Sequence, residues 1–455
     1  MELTKTQTRQ RLLTMIFGAF AIFFTGYPHV WSVYQPYVME QAGWTQTQAS
    51  MCFYLALSTF VFGNIIGGKL QEYYSPRMVV WIGGGIFTGG ILASVFLIIP
   101  SPIPMYITYG IMQGFGQGFI YTAIISTAQK WFPGKTGFAS GVVVTANGLC
   151  GFFMAPISRK ILDAEGPQRA FLVIGVVIAV SWILCGIFFH VPDRAWQLKA
   201  ESDLQNNISK NETWEKKQKQ YTSSEMMHTK NFYLLLATML FGLISYFLIS
   251  PVSQTYQIEL GIPSAVAVSA VMLGSIVNAG SRLILPTISD KVGRVVCIKG
   301  VLVVSVIAMT ALTFTKSYTV TAAIVLMYGC YGGIMGSFPS FTSSIFGMEH
   351  TGENYGFVML GIVIATCGAP ALSSYITGKG YGMHIVFGTG ILFAVTALSC
   401  LTVLGHNLKL EVQIGKGKKN GIFRWSKRKN FKSRIFNYAK SKGFVGDYET
   451  EYGGF

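Results

Sequence analysis

Between Glu259 and Asp290 only one residue carries a charge, and it is Arg282, within the stretch SIVNAGSRLILP from Ser275 to Pro286. A guanidinium stays protonated at any physiological pH, and its planar fork of donors matches a carboxylate in bidentate geometry. Arg282 precedes Asp290 by eight residues. At about 1.5 Å per residue it lies roughly 12 Å from that helix end, close to the middle of a hydrocarbon layer about 30 Å thick. An arginine at that depth costs at least about 2.5–3.5 kcal/mol on insertion scales. A wet cavity or a bound anion offsets the cost; the competing reading is an arginine satisfied by neighbouring carbonyls. Pro286, one turn further on, cannot donate to the Arg282 carbonyl, so the helix is expected to bend there.

Other groups that can meet a carboxylate fall at helical spacing. Tyr27, Trp31 and Tyr34 share one face of a first apolar stretch, and Gln113, Gln117 and Tyr121 share one face of a fourth. Asn278 lies one turn before Arg282, and Tyr328 and Tyr331 lie in a tenth stretch. Phenols and amides can complete a carboxylate's hydrogen bonds while the rings wall a cavity, although an aromatic stripe equally serves packing. His29 has no carboxylate near it in sequence, which favours a hydrogen-bonded or interfacial histidine over a proton relay. The seven cysteines are scattered, without C-x-x-C or Cys/His spacing, so they read as small packing residues rather than as a metal or disulfide framework. Gly110, Gly114 and Gly118, with Gly332 and Gly336, form ridges for close helix contact. No P-loop pattern and no His/Asp/Glu cluster is present, so neither a cofactor nor an enzymatic activity is expected.

These residues need membrane-spanning elements to hold them. Hydrophobic residues make up 51% of the 455, charged residues only 12%, and the mean hydropathy is +0.46; soluble domains carry about 25% charged residues. Twelve stretches can each cross a bilayer, at roughly 12–37, 49–67, 79–99, 104–129, 136–158, 169–190, 231–252, 264–288, 295–315, 318–346, 353–376 and 382–404. The first is too long for the apolar region of a signal peptide. The fold class is therefore all-α: a six-helix half over 1–190, a linker over 191–230, a second six-helix half over 231–404 and a basic tail over 405–455. With the N-terminus inside, 29 of the 35 lysines and arginines fall on the inner side and 5 on the outer, Arg282 being the remainder. This bias places both termini in the cytoplasm, in a plasma or bacterial inner membrane. The net charge of +16 is then the signature of basic inner loops rather than of nucleic-acid binding. The tail mixes lysine and arginine with Phe423, Trp425, Phe431 and Phe436, a composition suited to anionic lipid headgroups or to a solvated tail. The sequons at Asn207 and Asn211 fall on the inner side, away from glycosylation.

The halves repeat. Gly43 and Gly261, and likewise Glu72 and Asp290, are 218 residues apart; Tyr109-Gly110 and Tyr328-Gly329, and Gly137-Phe138 and Gly356-Phe357, are 219 apart. A duplicated unit with a site between its copies is a transporter architecture.

Pro286–Arg294, PTISDKVGR, resembles the G-x-L-x-D-x-x-G-R loop motif of the major facilitator superfamily, with Asp290, Gly293 and Arg294 in place. The first-half copy, GKLQEYYSPR, keeps Glu72 but has Ser75 where glycine is expected. Such a carboxylate at a helix end can pair with an arginine of a neighbouring helix and latch one conformation of the two halves; the alternative for either copy is a plain loop ion pair. Within that superfamily the chain resembles the oxalate/formate antiporter family and its monocarboxylate transporter relatives. WSVYQPYV, QKWFPGKTGFASG, Arg282 and GENYG carry that likeness, which extends to about Gly405. It implies a carrier of small organic anions in which Arg282 and the tyrosines of spans one and four bind carboxylate. Two departures matter. Ile362 stands where the oxalate carriers hold a second cation, and Asn278 stands where animal proton-coupled carriers hold an aspartate. The first points to monocarboxylates such as formate or lactate rather than oxalate; the second points to exchange or facilitated transport rather than proton coupling. The alternatives are a non-transporting sensor on the same fold and a carrier of neutral solutes or drugs; NGLCGFFMAP matches the span-five signature of drug exporters poorly.

Overall fold

The structure, a computed structural model, describes residues 4–197 and 219–409. The basic tail and most of the linker lie outside them. Met1–Val403 form one compact unit; of the second, only the helical residues up to 409 are described. Among the described residues the regular structure is all helical.

Among the described residues ten helices are long and apolar enough to cross a membrane. One of them, Thr136–Phe188, is interrupted at Gly166 (φ 78°, ψ 178°) and makes two passes, spans five and six. Gly166 can take that left-handed angle, and Pro167 then supplies a ready first turn for span six. The segment 103–131 adds span four, which begins with a wide π turn at Tyr106–Met112 and continues as Gln113–Trp131. The count is therefore twelve. Spans two and three are Gln46–Tyr73 and Pro76–Ser94; spans eight, nine and ten are Ser264–Val292, Arg294–Phe314 and Thr319–Phe346. Span eleven runs through Thr351–Val358 and Leu360–Gly378, and span twelve is Met383–Lys409. Mid-helix aliphatics such as Leu392 (69% exposed) and Ile307 (59%) point outward, as expected where the surrounding solvent is lipid.

The repeat extends to the breaks in the helices. Span one is Lys5–Phe24, a 3-10 turn at Tyr27–Val30 and Trp31–Ala42. Span seven is Lys230–Ile249, a 3-10 turn at Ser250–Val252 and Ser253–Glu259. Each short turn contains a proline, Pro28 or Pro251, whose missing N–H interrupts the helical ladder. Gly43 and Gly261, at φ 71° and 81°, close the two equivalent turns. Span eight, by contrast, stays helical through Pro286. The break expected beside Arg282 is found instead in spans one and seven.

The two halves meet along two seams. Span five lies against span eight: a Cβ on Gly137 would come 2.3 Å from the Pro286 carbonyl oxygen. Span two lies against span eleven: a Cβ on Gly68 would come 2.2 Å from the Glu353 nitrogen. Both contacts are at the end that carries the two loop motifs, and they close the molecule there.

Candidate functional site

Arg282 is buried, with 3% of its surface exposed. Its Nε donates to Asn278 Oδ1 at 2.9 Å, one turn back on the same helix, and its Nη1 donates to Asn147 Oδ1 at 2.8 Å across the seam on span five. The guanidinium carbon lies 5.5 Å from the centre of the Tyr331 ring, over its face and within cation–π range. Tyr331 stacks on Tyr246 of span seven (4.2 Å, 10°), and Tyr328 meets the same ring edge-on (5.4 Å, 89°). Among the described residues no acidic group forms an ion pair with Arg282. Its partners are two neutral amides and a ring.

Glycines let span eight come this close. A Cβ on Gly336 of span ten would lie 2.6 Å from the Arg282 carbonyl oxygen, and one on Gly332 would lie 2.2 Å from the Asn278 carbonyl oxygen. On span five, Gly148 leaves room for the arginine stem, its Cβ position being 3.3 Å from Cδ. The ridge of four-residue spacing read in span ten is thus the bed on which Asn278 and Arg282 rest.

Asn147 continues the chain of bonds. Its Nδ2 donates to Thr25 Oγ1 at 3.0 Å, and the Thr25 hydroxyl donates to the Ile22 carbonyl at 2.6 Å. Thr25 immediately precedes the break in span one.

The row Tyr27, Trp31 and Tyr34 is buried and shares one aromatic cluster with Tyr109 and Phe171. Two of its polar groups already have protein partners: Trp31 Nε1 donates to the Ala49 carbonyl at 2.9 Å and Tyr34 to Ser158 Oγ at 3.2 Å. The Tyr27 hydroxyl is buried with none. The hydroxyls of Tyr109 and Tyr121, both amide atoms of Gln113 and the Gln117 amide nitrogen are in the same condition, as is the Tyr355 hydroxyl of span eleven. Buried polar atoms without partners are rare in folded proteins; among the described residues most of them lie on spans one, four and eleven, with others on spans two and ten. His29 is exposed, with its ring edge-on to Phe53 at 5.9 Å.

At the motif end, both Asp290 oxygens accept backbone N–H groups from the first turn of span five, Gly137 at 3.1 Å and Phe138 at 2.9 Å. Arg294 pairs with Asp290 at 3.0 Å and donates to Thr136 Oγ1 at 2.8 Å. Gly293, at φ 100°, provides the turn that brings the arginine back. The first-half copy is built differently. Ser75 caps span three by accepting from the Met78 N–H, and Glu72 meets His350 at 2.6 Å.

Sequence reasoning passed over Asn147, Thr25, Tyr246 and Tyr109. The available signal for Asn147 was that it is the one amide in the fifth span; membrane-embedded polar groups are costly and commonly face the interior.

The profile of the Major Facilitator Superfamily matches residues 14–370. The chain is 27% identical over 365 residues to the uncharacterized MFS-type transporter YhjX of Escherichia coli, covering 79% of this chain and 86% of that one. It is 24% identical over 380 residues to the oxalate:formate antiporter of Oxalobacter formigenes, covering 82% and 85%. Human monocarboxylate transporter 11 matches over 123 residues at 27% identity, about a quarter of each chain. Among solved structures, the transporter FucP in its outward conformation superposes with a TM-score of 0.64 over 87% of this chain and 99% of its own, at 12% identity. A bacterial ferroportin homologue in an outward-facing state superposes at 0.65, covering 88% and 100%, at 15% identity.

Proposed function

The chain belongs to the Major Facilitator Superfamily, and we propose that within it this protein carries small monocarboxylates by alternating access, with Arg282 binding the carboxylate. One observation carries the reading: a buried guanidinium whose protein partners are all neutral. A buried charge without a counter-charge is costly, and a monoanion removes that cost. Asn278 occupies Nε and Asn147 accepts from Nη1, so a carboxylate takes the Nη1/Nη2 edge by displacing the Asn147 oxygen. The unpartnered polar atoms of Tyr27, Gln117, Tyr121 and Tyr355 are available to its remaining lone pairs or to accompanying water. Tyr331, Tyr328 and Tyr246 wall the site, while Trp31 and Tyr34 shape it through their rings.

One cation suits one carboxylate. The family of the oxalate:formate antiporter supplies the chemical class, and Ile362, buried in span eleven, favours formate or lactate over oxalate. Asn278 cannot exchange a proton beside Arg282, which favours exchange or facilitated diffusion over proton symport. The motif end faces the cytoplasm, with both termini and the 191–230 linker, and the seams closed there make this an inward-closed arrangement. Asp290, Gly293 and Arg294, with Glu72, latch it.

The test is exchange and uptake of labelled formate, lactate and oxalate in proteoliposomes, with and without an imposed pH gradient. Preference for the monoanions without strict dependence on an inward proton gradient is expected. Preference for oxalate, or no transport of any of the three, contradicts the reading. Orientation is checked separately by cysteine labelling of intact cells. An external reagent should label Lys316→Cys, in an exposed turn, and spare His228→Cys, exposed at the opposite end; the reverse pattern contradicts the topology.

A further inference from the structure

We propose that Asn147 stands in for the substrate carboxylate when the carrier is empty, and so allows this protein to carry net flux as well as exchange. The inference rests on the reading of Arg282 as the carboxylate site.

Alternating access obliges Arg282 to pass through an occluded state whether or not substrate is bound. In the loaded carrier a carboxylate neutralises the guanidinium. In the empty carrier an unsatisfied buried cation would oppose closure, and return would be slow. Asn278 cannot relieve this alone, because it lies on the same helix as Arg282 and moves with it. Asn147 lies on span five, in the other half, and its Oδ1 takes the Nη1 hydrogen at 2.8 Å. An amide oxygen accepts as one carboxylate oxygen does, but it carries no net charge, so an anion can displace it.

The bonds behind Asn147 have one consistent sense. Arg282 donates to Asn147, Asn147 donates to Thr25, and Thr25 donates to the Ile22 carbonyl, so each hydrogen meets one acceptor. This fixes the amide with its oxygen toward the arginine. The relay ends at the break of span one, which packs tightly on the same turn of span five: a Cβ on Gly26 would come 2.3 Å from the Asn147 carbonyl oxygen and 2.6 Å from Cys150 Cβ. Arg282 in the second half is thereby linked to the point where span one of the first half changes direction.

The experiment uses the full chain in proteoliposomes loaded with labelled formate or lactate. Efflux is measured into buffer with unlabelled substrate (exchange) and without it (net flux). Wild type should show both. Loss of one charge-assisted hydrogen bond in the empty carrier should make net flux of Asn147→Ala fall roughly ten- to a hundred-fold more than its exchange. Asn147→Asp preserves the shape but sets a fixed carboxylate on the guanidinium, so its apparent KM for exchange should rise by about tenfold or more. Equal losses of both fluxes in Asn147→Ala, an unchanged KM in Asn147→Asp, or a wild type with no net flux would overturn the role of Asn147 and leave the Arg282 site standing. Full exchange activity in Arg282→Ala would overturn both.

Discussion

The seam between spans five and eight and the seam between spans two and eleven are made from equivalent pieces of the repeat, yet only one is charged at its centre. At an offset of 218, Arg282 corresponds to Asn64, and at 219 Asn147 corresponds to Thr366. In the first seam the arginine bonds across to the amide. In the second, the Asn64 amide turns back to the Phe60 carbonyl of its own helix at 2.8 Å, while its Oδ1 and the Thr366 hydroxyl are buried without partners. The motif end shows the same inequality. Asp290, its side chain 8% exposed, caps the start of span five and holds Arg294; Glu72, 37% exposed, meets His350. The two seams are thus alike in position and unlike in charge and in their bonding at the motif end. On the proposed reading of Arg282, the anion is met from one side.

The comparison breaks most severely if its single charge is reshaped. Arg282→Lys keeps the cation but loses the planar fork, and transport of formate or lactate should fall by about a hundredfold or more while the protein still inserts and purifies as a folded chain; near-normal transport would mean that charge alone suffices. The next largest effect should come from making the seams alike in charge. Ile362→Lys places a cation in span eleven, the helix that faces span two in the neutral seam, and the ratio of oxalate to formate uptake should rise by about tenfold or more, because a second buried carboxylate then gains a partner. An unchanged ratio would show that the second seam does not face the substrate.

Asp290→Ala removes two backbone caps and the partner of Arg294. Charge-assisted hydrogen bonds of this kind contribute about 1–3 kcal/mol, enough to shift the balance between closed and open motif ends several-fold or more. Distances between spin labels across that end should lengthen. Glu72→Gln should do far less, under about 1 kcal/mol, since a half-exposed pair is weak. Equal effects from the two substitutions would contradict the inequality of the seams.

Much of this architecture is legible in the sequence because membranes make charge and length informative. Twelve apolar stretches, the steady offset between halves and the isolation of Arg282 require no tertiary information. Glycine spacing in span ten likewise announces close packing, and Gly332 and Gly336 do lie under Asn278 and Arg282. What escapes is whatever depends on a partner from the other half. Asn147 has neither charge nor motif, and its meaning comes from an arginine 135 residues away. The break in span one was also hidden, because Tyr27 and Pro28 sit inside one continuous apolar run; the proline that drew notice, Pro286, lies within a helix that runs unbroken from Ser264 to Val292. Trp31 and Tyr34 fall on the expected face, but periodicity does not reveal that Ala49 and Ser158 already occupy their polar atoms.

The most direct test is equilibrium binding of labelled formate and lactate to the purified protein in detergent, wild type against Arg282→Ala. Binding removes transport, gating and orientation from the question. The account predicts saturable binding to the wild type, competed less well by oxalate than by unlabelled monoanion, and none to a folded Arg282→Ala protein. Wild-type affinity in that variant would contradict it.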